Sequence, residues 1–211
     1  MRVEEARKLF GDLFIGREEL TAISSALPLE ISTEPEIPFD ATVLRNLSQD
    51  YILILGTPSF SGGKPLTLCT LRDHFGTDPE KREPCFYNQD WYLLEGFANA
   101  TVLETRWYLI RKSIEDASRG VDPSAVISSL PTEKELPPAI LTAYTFFSFF
   151  LLRKDRKLWD TDFVWCSDQD SNGDRIYTGR YTDPSGLNRS GFSIHRHLSI
   201  RPCYGAAPLI S

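Results

Sequence analysis

An apolar run from Ala139 to Leu152 constrains the fold of this chain more than any other feature. The run reads AILTAYTFFSFFLL, follows Pro137-Pro138 and precedes the charged stretch 153–157. It is shorter than the roughly 20 residues that a helix needs to cross a bilayer. Helices that are apolar on every side lie inside a protein core. We therefore predict a buried helix, with its four phenylalanines and Leu151 inside, and no membrane span.

Composition limits the class of protein. With 211 residues, of which 41% are hydrophobic and 12% aromatic, the chain can bury a sizeable core as one domain. Its net charge of −6 argues against a nucleic-acid-binding face. The first residues include two acids and no long apolar stretch, which predicts no signal peptide and a cytoplasmic location. The four cysteines form no CxxC pair and are expected to be free thiols.

The pattern of apolar residues divides the chain into three segments. Residues 1–48 are predicted to be two short helices, the first ended by Gly11, then a proline-rich acidic connector and a helix capped by Asp40. Residues 49–157 are predicted to be a central α+β part, and residues 158–211 to be rich in strands. The expected fold is α+β, with helices packed on small, mainly antiparallel sheets.

Within the central segment, YILIL and WYLIRK are typical of buried strands, and SAVISSLP is typical of a helix. PLTLCTL fits either a strand or the start of a helix. Gly62-Gly63-Lys64 lacks the residues of a phosphate-binding loop. Seven aromatic residues crowd this segment, and we expect most of them in the core rather than stacked on bases or sugars: Phe86, Tyr87, Trp91, Tyr92, Phe97, Trp107 and Tyr108.

The tail is predicted to contain three strands. DFVWCS and RIYTGRY should form a hairpin through a type I′ turn at Asn172-Gly173, because both residues tolerate positive φ. A second turn is expected at 183–186. FSIHRHLSIRP alternates, with Phe192 and Ile194 on one face and His195 and His197 on the other.

Two sets of tail residues have the chemistry of metal ligands. Asp168, Asp170 and Asn172, followed by glycine, match the first positions of a calcium loop, but Gly179 stands where the last acid is needed. A solvated turn is favoured, with calcium as the weaker alternative. His195 and His197 share a strand face and could reach one metal together with cysteines or aspartates of the tail. We favour two ordinary histidines. No GxSxG or related signature indicates a catalytic triad.

The stretches ARKLFGDLFIGREEL, EIPFDATVL, FYNQDWY, RWYLIRK and SDQDSNGDRIYTGRYTDPSGLNRSGF resemble an uncharacterised family of bacterial proteins of similar length. The variable ending of that family resembles the C-type-lectin-like target proteins of diversity-generating retroelements. This resemblance implies a lectin-like C-terminal part, with residues 168–181 in the scaffold and residues 188–201 in or near a diversified binding surface. The chain departs from the family pattern after Gly191.

These observations favour a binding module without catalysis, whose partner is a protein or a small ligand. Tyrosine, asparagine, arginine and histidine suit such a surface because they combine contact area with adaptable hydrogen bonding. The predicted contact residues are Tyr181, Asn188, Arg189, His195 and His197. The alternatives are a metal-dependent hydrolase that uses the Asp168/Asp170 and His195/His197 pairs, and a structural component of an assembly.

Overall fold

The computed structural model describes residues 1–154, 156–182, 185, 190–196 and 199–210. In these ranges the helices are α1 Val3–Phe10, α2 Arg17–Ala22, α3 Ala41–Leu47, α4 Leu68–Phe75, α5 Gly96–Asn99, α6 Pro123–Ser129 and α7 Ala139–Leu152. The strands are β1 Phe14–Ile15, β2 Tyr51–Leu55, β3 Trp107–Arg111, β4 Lys134–Glu135, β5 Phe163–Gln169, β6 Arg175–Tyr181, β7 Gly191–Arg196, β8 Tyr204–Gly205 and β9 Leu209–Ile210.

Two sheets organise these strands. The first has the order β1-β2-β3-β9-β4, with β1 parallel to β2 and the other neighbours antiparallel. The second has the order β7-β6-β5-β8, with only β5 and β8 parallel. The architecture is α+β with mostly antiparallel sheets, as predicted. The first sheet combines strands from all three sequence segments, since β1 precedes residue 49 and β9 follows residue 158.

Helix α7 occupies the predicted residues and lies between the two sheets. Every residue from Ala139 to Phe150 is buried, which confirms the prediction for the four phenylalanines, whereas Leu151 is only half-buried. The hydroxyl of Tyr144 donates to the carbonyl of Leu55 in the first sheet, at 2.8 Å. On the other side, the hydroxyls of Thr142 and Thr178 are 2.7 Å apart. Contacts on both sides explain why the helix is apolar all round.

Across the described ranges, no helix has both the length and the apolar character that crossing a bilayer would require. The four cysteines are free, as expected. Five of the seven aromatic residues between 86 and 108 are buried in the core, while Tyr87 and Trp91 are half-buried.

Local signals located the end of α1 and the start of α3, whereas the second N-terminal helix, predicted from Arg17 to Leu27, ends at Ala22 as α2. Gly11 ends α1 with a φ of 54°, a conformation that glycine adopts without steric cost. The carboxylate of Asp40 accepts from the amide of Thr42 at 2.6 Å and so caps α3. PLTLCTL begins a helix, not a strand. Its N-terminus is fixed by reciprocal bonds, because Thr70 Oγ1 accepts from Thr67 N at 2.8 Å and Thr67 Oγ1 accepts from Thr70 N at 3.2 Å.

The predicted type I′ turn at Asn172-Gly173 is wrong. Of these two residues, only Gly173 has a positive φ, at 86°. Its amide donates to the carbonyl of Asp170 at 3.0 Å, and the amide of Asp170 donates to the carbonyl of Asp174 at 3.0 Å. The loop is one residue longer than the two-residue loop of a type I′ turn. A type I′ turn needs positive φ at both loop residues, whereas this longer loop needs it only at Gly173.

The third tail strand is shorter than predicted. It ends at Arg196, and the described residues 199–203 form bends and a turn closed by the amide of Tyr204 on the carbonyl of Arg201, at 3.0 Å. Pro202 has no amide hydrogen to pair in a ladder. The turn leads the chain into β8, which runs parallel to β5.

Candidate functional site

The tail sheet has one face on α7. Phe192 of β7 packs against Phe146 and Phe147, with ring centroids 4.9 and 5.8 Å apart. The ladder from β6 to β7 is continuous over six residue pairs, from Ile176 opposite Arg196 to Tyr181 opposite Gly191. This core contact holds β7 and the end of β6 in place. Tyr181 and Gly191 therefore face each other as the last pair of this ladder.

The motif FYNQDWY, residues 86–92, lies along the outer edge of β7. The amide of Phe192 donates to the carbonyl of Cys85 at 2.9 Å, and the amide of Tyr87 donates to the carbonyl of Phe192 at 2.8 Å. A Cβ on Gly191 would lie 2.4 Å from Tyr87 N, so only glycine permits this approach of two backbones. The motif thus acts as a partial fifth strand that covers the sheet edge.

Gln89 and Trp91, two positions apart in this motif, also bind β7 through their side chains. The amide nitrogen of Gln89 lies 3.3 Å from each ring nitrogen of His195, and its oxygen accepts from the hydroxyl of Ser193 at 3.3 Å. The indole of Trp91 donates to the carbonyl of Ile194 at 3.1 Å. In each of these contacts the two residues lie more than 100 positions apart in the sequence.

Tyr87 and Tyr181 form the point where the motif meets the end of β6. Their rings are 5.0 Å apart at 60°, an edge-to-face geometry that is favourable for aromatic pairs. Both side chains are half-buried. Tyr181, predicted from sequence as a contact residue, therefore packs against Tyr87, which lines a cleft.

We call the cleft beside Tyr87 the tyrosine cleft. It encloses about 640 Å³ and is lined by Thr77, Asp78, Pro79, Lys81, Tyr87, Asn88 and Ser190. The volume falls in the range that small ligands and short peptide segments fill. Most of the lining side chains carry hydrogen-bonding groups, and Tyr87 adds an aromatic wall.

The loop that forms the far wall of the tyrosine cleft is ordered by local charges. The Asp78 carboxylate lies 3.1 Å from the Lys81 ammonium and accepts from the amide of Glu80 at 3.1 Å. The bond from Lys81 and the amide bonds lower the pKa of Asp78. Arg82 anchors the loop from below, with its guanidinium donating to the carbonyls of His74 and Ala26, each at 2.8 Å.

His195 is half-buried, and its ring packs against neighbouring aromatic residues. Its ring stacks on Tyr177 at 5.4 Å and 27°, and lies 6.0 Å from Phe163. Burial, with a smaller contribution from the positive charge of Arg201, lowers the pKa of His195 to about 4. Ser193 is fully buried. The polar face predicted for β7 is therefore closed at Ser193 and partly covered at His195, where Gln89 of the motif lies beside the ring.

The acidic turn uses its carboxylates internally. Asp168 Oδ2 accepts from the amide of Ala139 at 2.6 Å and caps α7, and burial raises the pKa of this acid. Asp170 Oδ1 accepts from the amides of Asn172 and Asp174, at 2.9 and 2.8 Å. Its other oxygen lies 3.3 Å from the Arg196 guanidinium. Asp168 and Asp170 thus serve two different structural roles, and neither is directed at His195.

Within the described ranges, no group of three histidine, cysteine or acidic residues is placed to hold a metal ion. The alternatives of a calcium loop and a hydrolase centre therefore gain no support from the described residues Asp168, Asp170, Asn172 and His195. His197, the second histidine, lies outside the described residues, as do Asn188 and Arg189.

Sequence reasoning missed most residues of the tyrosine cleft. The loop 77–81 carried no motif, and Asn88 was hidden within a motif that indicated core packing. The one available signal was the polar NQD inserted between aromatic residues, since a segment buried on both sides would not carry three polar residues in a row.

Comparisons with known proteins found no match: no family model, no curated protein and no solved structure is similar to this chain at a significant level.

Proposed function

We propose that this protein is a non-catalytic binding module and that the tyrosine cleft is its contact surface. The observation that supports the proposal is the edge-to-face pair of Tyr87 and Tyr181, which joins two segments far apart in sequence, and whose Tyr87 lines a polar cleft. Tyrosine rings offer a large contact area with few rotatable bonds, and the neighbouring polar side chains adapt their hydrogen bonds to a partner.

The chemistry of the lining suits a protein or peptide partner. Lys81 and Asp78 present both signs of charge, and Thr77 and Asn88 present donors and acceptors at short spacing. Asn188 and Arg189, which directly precede Ser190 in the sequence, stay proposed contact residues and lie outside the described part of the chain. His195, in contrast, serves to hold the motif 86–92 in place.

The proposal includes a lectin-like character for the tail, with residues 188–201 in or near a diversified surface. Support for this finer part comes from the sequence resemblance alone. The test is genomic: a near-repeat of the DNA that codes for the tail, located beside a reverse transcriptase gene, would support diversification. A neighbourhood without either feature would contradict it.

Binding at the tyrosine cleft can be tested with a displayed library of random twelve-residue peptides, selected on the immobilised protein. The best peptide is then titrated against Tyr87→Ala, Asn88→Ala and Tyr181→Ala. We expect each substitution to weaken binding by about tenfold or more, as at interface hot spots. Ile127→Ala on α6, also exposed, is the matched control and should bind normally. Peptides that bind all variants equally would contradict the site.

A further inference from the structure

Strand β4 is the last strand of the five-stranded sheet, and within the described residues its outer edge has no partner strand. Three clefts border this strand. The α3 cleft encloses about 450 Å³ beside α3, the α6 cleft about 280 Å³ beside the end of α6, and the Val102 cleft about 220 Å³ beside Val102. Each is lined by Lys134, by Glu135 or by both. Open space therefore surrounds β4, whereas the motif 86–92 covers the edge of β7.

The α3 cleft and the Val102 cleft lie on opposite faces of the sheet. Lys134 is the partner of Ile210, and both line the α3 cleft. Glu135 is the partner of Leu209, and both line the Val102 cleft. Partners in a ladder share a face, and successive residues of a strand point to opposite faces. A strand added beside β4 would therefore direct alternate side chains toward these two clefts.

The pairing of β9 determines which way the main chain of β4 points. The amide of Arg111 donates to the carbonyl of Pro208 at 3.0 Å, so residue 208 bonds to β3. Hydrogen-bonded and non-hydrogen-bonded pairs alternate in an antiparallel ladder, and Leu209 therefore turns its main chain toward β4. Glu135, its partner there, directs its own amide and carbonyl toward β9.

Two main-chain groups beside Glu135 consequently point outward. In a planar trans peptide the carbonyl and the following amide point in opposite directions, so the carbonyl of Lys134 and the amide of Leu136 face away from β9. The amide of Lys134 is used locally and donates to the carbonyl of Pro131 at 2.9 Å. Neither outward group has a hydrogen-bond partner among the described residues. The edge thus offers one acceptor and one donor to an incoming strand.

Exposed apolar side chains gather around the same strand. Four large hydrophobic side chains are exposed in the part of the chain that the structure describes. Val43 lines the α3 cleft, Val102 the cleft named after it, and Ile127 the α6 cleft. Only Leu94 lies outside these clefts. Single exposed apolar residues are ordinary, but three around one free sheet edge form the kind of patch that marks an interaction site.

The charges around β4 favour a basic partner. Among the described lining residues, the bases already have acceptors: Lys134 with Glu115, Arg106 with Glu104, and Arg175 with the carbonyl of Ser167. Glu135 is exposed and makes no ion pair within the described ranges. A positive side chain opposite Glu135 would therefore find a free carboxylate, and opposite charges across two strands stabilise their pairing.

We propose that β4 is a docking site for an extended segment of another protein in which apolar and basic side chains alternate. The segment adds a strand to the sheet, and its main chain bonds to the carbonyl of Lys134 and the amide of Leu136. Its apolar side chains lie against Val43 in the α3 cleft. On the other face, a basic side chain pairs with Glu135. This surface is separate from the tyrosine cleft and shares no lining residue with it.

Isothermal titration with a short capped peptide of alternating valine and lysine tests the proposal. The reference peptide has glutamate in place of lysine. We expect saturable one-to-one binding of the lysine peptide and about fivefold weaker binding of the glutamate peptide, as for a cross-strand charge pair replaced by repulsion. Glu135→Lys should reverse this preference. Asp73→Lys makes the same charge change at an exposed acid of α4 and should leave the preference intact.

The main-chain bonds are tested with two N-methylated forms of the lysine peptide. Successive amides of an extended chain point to opposite edges, so one form is methylated on the valine amides and the other on the lysine amides. We expect one form to lose binding and the other to retain it. Equal binding of both forms and the unmodified peptide would show that no strand is added.

Matched variants locate the site. Val43→Arg should abolish binding by filling the apolar wall of the α3 cleft, whereas Leu94→Arg adds the same charge at an exposed residue elsewhere and should bind normally. Tyr87→Ala should also bind normally, and thermal melts check that each variant is folded. The proposal is overturned if the lysine peptide does not saturate, if Val43→Arg binds it like the parent, or if Tyr87→Ala loses it. A dimer in light scattering that Val43→Arg dissociates would also overturn it, because a second copy would then occupy the edge.

Discussion

Tyr87 and Tyr181 meet edge to face with their ring centres 5.0 Å apart, although 94 positions separate them in the chain. Tyr181 ends a strand whose neighbours pack on α7, and Tyr87 belongs to the motif that covers the edge of β7. The pair therefore links the core of the tail sheet to the loop that forms the tyrosine cleft. Substitutions that detach the motif from β7 should therefore alter the tyrosine cleft even when they lie outside its lining.

Gly191→Ala should disturb this attachment strongly. The added methyl group would lie 2.4 Å from Tyr87 N and 2.6 Å from Phe86 C, both backbone atoms that cannot move aside cheaply. We expect a loss of roughly 1–3 kcal/mol in the free energy of unfolding, as for other overpacked sites. Urea denaturation measures it. Gly96→Ala is the control, because a Cβ there meets nothing within 4 Å. Equal stability of the two variants would show that the motif does not lie against β7.

Asp168→Ala should destabilise the protein through α7. The substitution removes the acceptor for the amide of Ala139 at the start of the most buried helix. N-cap losses cost about 1 kcal/mol, within a range of roughly 0.5–2 kcal/mol. Asp168→Asn should retain most of the stability, and Asp73→Asn, on an exposed side chain, should be neutral. Equal melting temperatures of Asp168→Ala and Asp73→Asn would contradict the capping role.

The pH dependence of stability should report on His195. Its pKa in the folded protein is about 4, against an ordinary value near 6.5, so the fold favours the neutral ring. The contribution of this group is complete above about pH 6.5 and is lost as the pH falls toward 4. We expect a loss of roughly 2–3 kcal/mol over that window.

His195→Phe tests this expectation, since it keeps a ring over Tyr177 and has no titratable nitrogen. Urea midpoints of the variant should change less than those of the parent between pH 6.5 and 4.5. The buried Asp168 has a raised pKa and acts in the opposite direction in both proteins, so it cancels in the comparison. Identical slopes would show that His195 is solvated.

Local chemistry made much of the fold predictable. The all-apolar sequence of α7, the stop at Gly11 and the cap at Asp40 each depend on residues within one turn of the element concerned. The Asn172-Gly173 turn was mispredicted because the dipeptide alone does not fix the loop length. The carboxylate of Asp170, which accepts two loop amides, stabilises the longer loop instead.

The candidate site was less predictable because it depends on pairings across long stretches of chain. Tyr181 was predicted as a contact residue because tyrosine combines contact area with adaptable hydrogen bonding. The motif 86–92 indicated core packing, and nothing local revealed that Gln89 would cover His195, 106 positions away. Asp168 caps a helix that begins 29 positions earlier in the sequence, and no local pattern predicts this contact.

Amide hydrogen exchange, measured with and without the best selected peptide, tests most directly whether the tyrosine cleft is the contact surface. We expect slower exchange in residues 77–81, 87–88 and 190–192, with unchanged exchange in α3 and α6. Protection confined to any other surface, or none at saturating peptide, would contradict the assignment of the tyrosine cleft as the contact surface.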